Sequence, residues 1–160
     1  MLAQADAVFV GGGNTFRLLD RLYSSGMFVA LREAVAAGMP YLGTSAGSNV
    51  AGPTIKTTND MPIVQPPTFD AFGFVNFQIN THYVDRDPDS SHRGETREER
   101  LFEYLEENDS PVVALREGAM LRVDGTSVLL DGTARARLYW PGTRVNEYPP
   151  GTRLDSLIEI

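Results

Sequence analysis

The segment Gly43-Thr44-Ser45-Ala46-Gly47 constrains this chain more than any other. It follows a short apolar run, Met39-Pro40-Tyr41-Leu42, and leads into Ser48-Asn49-Val50-Ala51. Glycines two before and two after a serine make the pattern of a nucleophile elbow, a cramped turn from strand to helix. Glycine lets the backbone pass there without a Cβ clash. The serine hydroxyl is then pushed out at the end of a sheet, and the next backbone N–H, that of Ala46, can help to bind an oxyanion. The same five residues also suit a plain small-residue turn, so the rest of the chain has to decide.

The surroundings read as α/β. Ala7-Val8-Phe9-Val10 is a continuous apolar run cut off by Gly11-Gly12-Gly13, the pattern of a strand covered on both faces, as in a parallel sheet. Asn14 or Thr15 can cap a helix carrying Phe16, Leu18, Leu19 and Leu22, with Gly26 as its stop. A second helix is expected from about Phe28 to Ala37, ending at Gly38, before the strand into the elbow. Residues 52–73 hold several prolines and read as an ordered loop, and Val75–Asn80 alternates like a strand. After a polar stretch, Thr96-Arg97-Glu98-Glu99 is a capping box that should start a helix burying Leu101, Phe102, Tyr104 and Leu105. Pro111–Leu115 reads as a buried strand. Beyond Met120 the pattern is β-hairpin-like, with turns at Asp124-Gly125 and Asp131-Gly132 ahead of a strand from Arg135 to Trp140, then a turn-rich tail.

Length and composition bound the function. At 160 residues one domain with a real core is expected. A net charge of −7 argues against unaided nucleic-acid binding and offers no basic patch to anionic lipid. The chain has no cysteine, which excludes disulfides, thiolate metal sites and a cysteine nucleophile. No apolar run is long enough to span a bilayer, and the first residues lack the basic start and apolar core of a signal peptide, so a cytoplasmic location is expected.

A serine nucleophile needs a base, and the base an orienting acid. The two histidines are His82 and His92. His82 lies just past the strand ending at Asn80, where a strand end holds it more firmly than the polar loop holds His92. Either could be a solvated loop histidine. Glu117 follows the strand Val112–Leu115 and precedes Gly118, well placed for the second imidazole nitrogen, or else simply exposed in a turn. Gly11-Gly12-Gly13-Asn14 can cradle phosphate at a helix start or lend a backbone N–H to an oxyanion hole. The spacing of a dinucleotide or Walker loop is absent, which favours the second use. Asp85, Asp87 and Asp89 alternate, but Ser90 and Thr96 stand where a calcium loop needs glycine and glutamate, so no metal is expected.

Gly11-Gly12-Gly13-Asn14-Thr15-Phe16, the elbow around Ser45, the stretch Pro53-Thr54-Ile55-Lys56-Thr57-Thr58-Asn59-Asp60-Met61-Pro62-Ile63, Gln78-Ile79-Asn80-Thr81-His82 and Gly94-Glu95-Thr96-Arg97-Glu98-Glu99-Arg100 together closely resemble the peptidase E family, the aspartyl dipeptidases among the S51 serine peptidases. The resemblance covers nearly the whole chain. It implies a fold like that of class I glutamine amidotransferases: flavodoxin-like, a mostly parallel sheet flanked by helices, here with a C-terminal β-hairpin region. It implies cleavage of dipeptides with an N-terminal aspartate, without metal or cofactor, by a Ser-His-Glu triad. Carried over residue by residue, Ser45 matches the nucleophile, His82 the base and Glu117 the acid. Gly13 and Ala46 match the oxyanion donors. Arg97 matches the group that receives the substrate's aspartate carboxylate, and Asn14 and Asp60 match substrate-pocket positions. The expected partner is a small peptide, with no nucleic acid and no membrane, and a homodimer is compatible with the pattern.

One departure stands out. Family members carry several dozen residues before the glycine-rich segment, including the first strands of the sheet. The expectation is a single catalytic domain over residues 1–160 that lacks its N-terminal part, or a variant whose missing strands a partner replaces. An incomplete parallel sheet exposes an apolar edge and face. Two other functions compete: a related cyanophycinase-like β-aspartyl peptidase, which shares the Thr-Ser-Ala-Gly elbow, and an inactive ligand-binding homologue.

Overall fold

Strand β1 (Val8–Val10) and strand β2 (Tyr41–Gly43) pair in parallel, Val8 opposite Tyr41, Phe9 opposite Leu42 and Val10 opposite Gly43. A parallel pair needs a crossover, and helices α1 (Thr15–Ser24) and α2 (Met27–Ala36) supply it. The computed structural model describes residues 2–89, 94–142 and 144–158 and divides into two compact units, Met1–Ile79 and Asn80–Ile160. No helix among the described residues is long and apolar enough to cross a membrane.

In the first unit, Asn14 caps α1 by accepting the Arg17 amide at 3.1 Å. Gly26, at φ 73°, ends the first helix and opens the second, a backbone that a Cβ would strain. Leu19, Leu22, Phe28 and Leu31 from the two helices bury against Val50, Ile55, Ala71 and Phe72. An aromatic column runs through this core, with Tyr23 on Phe28 at 4.1 Å, Phe28 on Phe72 at 5.0 Å and Phe72 on Phe74 at 4.7 Å between ring centres. The loop expected over 52–73 is ordered. It is tied by backbone bonds from Ile55 N to Phe69 O (2.9 Å), Ala71 N to Pro53 O (2.8 Å) and Phe72 N to Val50 O (2.9 Å). The two-sided cover expected for β1 is not found among the described residues. Phe9 is 63% exposed and its paired neighbour Leu42 is 55% exposed, so that face of the two-stranded sheet is open.

Strand β3 (Gln78–Asn80) is shorter than the alternating run 75–80 suggested, and all three residues are buried. In the second unit, helix α4 (Arg97–Glu107) starts on the expected capping box: Thr96 accepts the Glu99 amide while the Glu99 carboxylate accepts the Thr96 amide. Leu101 packs with Tyr83, Val112, Ala114 and Tyr139. Strand β4 (Val112–Leu115) is buried throughout, as read from its apolar run. Strands β5 (Ala119–Asp124) and β6 (Ser127–Gly132) form the hairpin expected at Asp124-Gly125. The turn at Asp131-Gly132 does not close a second hairpin. Strand β7 (Ala136–Trp140) instead pairs antiparallel with β4, and its Ala136, Leu138 and Tyr139 are buried in the core. Its other edge takes strand β8 (Arg144–Tyr148), which the turn-rich reading of the tail missed. The last segment docks on β6 through Leu154 N to Val128 O at 2.8 Å, burying Leu154 and Leu157.

Candidate functional site

Ser45 stands where β2 ends and the short helix α3 (Ala46–Asn49) begins, with φ 53° and ψ −116°. Both flanking glycines are sterically required. A Cβ on Gly43 would lie 2.6 Å from the Gly47 carbonyl oxygen, and one on Gly47 would lie 2.0 Å from that of Val10. The first is a contact across the turn, the second a contact between α3 and β1, so the elbow is wedged against the neighbouring strand. Three bonds lock it: Thr44 N to Val10 O at 3.0 Å, Ser48 Oγ to Gly43 O at 2.9 Å and the Tyr41 hydroxyl to Gly47 O at 2.6 Å. Burial pushes the Tyr41 phenol well above its ordinary range, so it stays a donor. Ala46 is buried and its amide is the first of α3, ahead of the bond from Gly47 N to Thr44 O at 2.9 Å.

The glycine-rich loop lies against this turn. A Cβ on Gly12 would come within 3.2 Å of Ser45 Cβ and 3.5 Å of its Oγ, so Gly12 keeps the space beside the hydroxyl open. Gly13 follows at φ 137°. Gly12 was not singled out from the sequence; the glycine run shows a close approach, but not which member makes it.

Asn14 and Asp60 have internal duties in the same unit. The Asn14 amide caps α1 with its oxygen and donates from Nδ2 to Met61 O at 2.9 Å. Asp60 Oδ2 accepts the Thr15 amide at 2.7 Å, the Thr15 hydroxyl at 2.6 Å and the Thr58 hydroxyl at 3.3 Å. A carboxylate at the first turn of a helix is favoured by the helix dipole. The buried Asn49 donates to Thr15 Oγ1 at 3.3 Å, which joins α3 to this node. The loop 53–63 is thereby pinned to the helix that follows the glycine run.

In the second unit the structure brings His82 and Glu117 together. His82 Nδ1 donates to Glu117 Oε1, with the two side chains 54% and 81% exposed. His82 has φ 54°, and Glu117 is followed by Gly118 at φ 83°. The segment Tyr83-Val84-Asp85 meets Leu115-Arg116 beside that pair. Tyr83 N donates to Leu115 O at 2.9 Å, and Arg116 forks onto Asp85 at 2.7 and 2.9 Å. The Arg116 hydrogen bonds hold the Asp85 carboxyl below the usual carboxylate range. Arg137 reaches Asp85 at 3.2 Å, Glu98 at 3.0 Å and the Tyr83 hydroxyl at 3.2 Å. Arg97, the first residue of α4, is half-buried. His92 lies outside the described residues. Among the described residues no group of three or more histidine or acidic side chains is placed to hold a metal ion.

A serine on an elbow, and a histidine whose Nδ1 is held by a carboxylate, are the parts of nucleophilic serine chemistry. The sequence carries the same assignment further: the family model for peptidase family S51 matches residues 1–130, and the chain belongs to that family. It is 57% identical over 159 residues to peptidase E of Streptomyces coelicolor, covering 99% of this chain and 65% of that protein. It is 46% identical over 159 residues to a Drosophila melanogaster protein named "Probable alpha-aspartyl dipeptidase", covering 99% and 66%. The chain thus spans about two thirds of the length of these relatives. Among solved structures, a Listeria monocytogenes EGD-e protein described as a candidate peptidase E is similar, with a TM-score of 0.66, 26% identity, and 83% of this chain and 62% of that one covered. A peptidase from an acI-B1 Actinobacterium shares the fold, with a TM-score of 0.68 over 96% of this chain and 60% of that one.

Proposed function

We propose that this chain carries the catalytic parts of a serine dipeptidase for peptides with an N-terminal aspartate. One observation supports it above the others. Among the described residues, the non-glycine residues with positive φ are Ser45 and His82, the two that the elbow pattern and the family resemblance single out. Such backbone costs about 1–3 kcal/mol per residue, is kept only where the surrounding structure enforces it, and clusters at active sites.

In this reading Ser45 Oγ attacks the carbonyl carbon of the aspartyl residue. His82 takes the serine proton on Nε2, while Glu117 holds Nδ1–H and stabilises the imidazolium. The amides of Gly13 and Ala46 receive the oxyanion. The imidazolium then protonates the departing amine, and water, activated by the same imidazole, releases aspartate from Ser45. Arg97 binds the aspartate side chain through two parallel charge-assisted bonds. Asn14 and Asp60 complete the substrate region, their bonds to Met61 and Thr15 fixing its wall. The metal-free route needs no group beyond these side chains and amides.

The test is kcat/KM for Asp-Leu with the parent protein and Ser45→Ala. The parent should cleave Asp-Leu and leave cyanophycin intact. The variant should lose several powers of ten in rate while keeping its circular dichroism and melting temperature. Cleavage of cyanophycin in preference to Asp-Leu would favour the β-aspartyl reading, and turnover retained by Ser45→Ala would remove the nucleophile.

A further inference from the structure

The exposures of His82 and Glu117 pose a mechanical question. At 54% and 81% exposed, neither side chain is gripped by a surrounding core, yet their contact requires the two segments to hold a fixed register. Two of the contacts between the segments lie beside the pair. One is the backbone bond from Tyr83 N to Leu115 O, at 2.9 Å. The other is the fork of Arg116 on Asp85, from Nε to Oδ2 at 2.7 Å and from NH2 to Oδ1 at 2.9 Å. Arg116 is the neighbour of Glu117, and Asp85 lies three residues past His82. The fork therefore ties the segments together beside the catalytic pair.

The rest of the Arg116 environment fits a fixed strut. Its side chain is only 19% exposed. NH1 donates to the Arg135 carbonyl at 3.0 Å and NH2 reaches Glu147 at 2.6 Å. The guanidinium lies 5.7 Å from the centre of the Tyr83 ring. Tyr83 itself is 3% exposed and shares a 2.7 Å hydroxyl contact with Tyr139. Asp85 is also held by Arg137 at 3.2 Å, so it keeps one anchor if Arg116 changes.

We propose that Arg116, forked onto Asp85, is a positioning residue that sets the His82–Glu117 pair. The proposal rests on the reading of that pair as base and acid, and its test separates the two. Lysine at 116 keeps the charge but cannot make the planar two-bond fork. Because the depressed Asp85 carboxyl stays ionised wherever an imidazole is neutral, the fork persists over the whole working range of pH.

The experiment compares the parent with Arg116→Lys and, as a second variant, Asp85→Asn. One readout is the strongly deshielded ring N–H proton of His82 in the proton NMR spectrum, assigned by its loss in His82→Gln. The other is kcat and KM for Asp-Leu. Both variants should lose or broaden the proton signal, and kcat should fall about tenfold to a hundredfold with KM little changed, as expected when a reacting group is misplaced by about an ångström. Melting temperatures close to the parent's would show that the loss is one of positioning. A signal retained in both variants would overturn the proposal, and so would its absence from the parent. Loss of the signal with turnover unchanged would leave Arg116 as the strut but remove the pair from catalysis.

Discussion

Ser45 and His82 show how much of a candidate site can be written in single residues. The Ser45 turn was legible because its two glycines are required by atoms that come close, the Gly47 and Val10 carbonyl oxygens. Sequence position alone made His82 only the better of two histidines, and Glu117, which does lie exposed in a turn, could not be told from a merely solvated one. Their contact arises from segments far apart in the chain, which no local pattern encodes. Arg116 was missed for the same reason: its meaning lies in Asp85, which the alternation of Asp85, Asp87 and Asp89 had raised only as a calcium loop and then dismissed. Arg97 carries the specificity prediction at this scale. If it pairs with the substrate's aspartate, Arg97→Ala should lower kcat/KM for Asp-Leu by about two or more powers of ten, with little change for the already poor Asn-Leu. A variant that keeps the parent's preference for Asp-Leu over Asn-Leu would show that another group reads the carboxylate.

Elements with their own start and stop chemistry were read well. Helices α1 and α2 fell within a residue or two of their caps, and the Thr96 capping box marked α4 at Arg97. Thr96→Ala should therefore destabilise the protein by about 1 kcal/mol, seen as a lower urea midpoint with an unchanged slope. No shift in the midpoint would mean that α4 is set by its packing, through Leu101, rather than by its cap. Strands joined by long-range pairing were read less well. The stretch 144–148 looked like turn because arginine, asparagine and glutamate dilute its apolar pattern. It is a strand because β7 offers an edge to pair with. The turn at Gly132 misled in the opposite direction, since a glycine at φ 95° marks a bend without saying which strand follows as partner.

At the scale of the molecule, the α/β class was legible from the order of elements, and membership of the S51 family follows from the match over residues 1–130. In the second unit β4, β7 and β8 pair antiparallel, while β1 and β2 of the first are parallel. The open face at Phe9 and Leu42 belongs to this scale too, because cover is a property of the whole assembly and not of a strand's own sequence. A covalent label reads directly whether Ser45 acts as an activated nucleophile. The protein is treated with a fluorophosphonate, and the modified peptide is located by mass spectrometry in the parent, Ser45→Ala and His82→Gln. A single adduct on Ser45 is expected in the parent, none in Ser45→Ala and strongly slowed labelling in His82→Gln. An adduct on another serine, or labelling of Ser45 at the same rate without His82, would contradict that role.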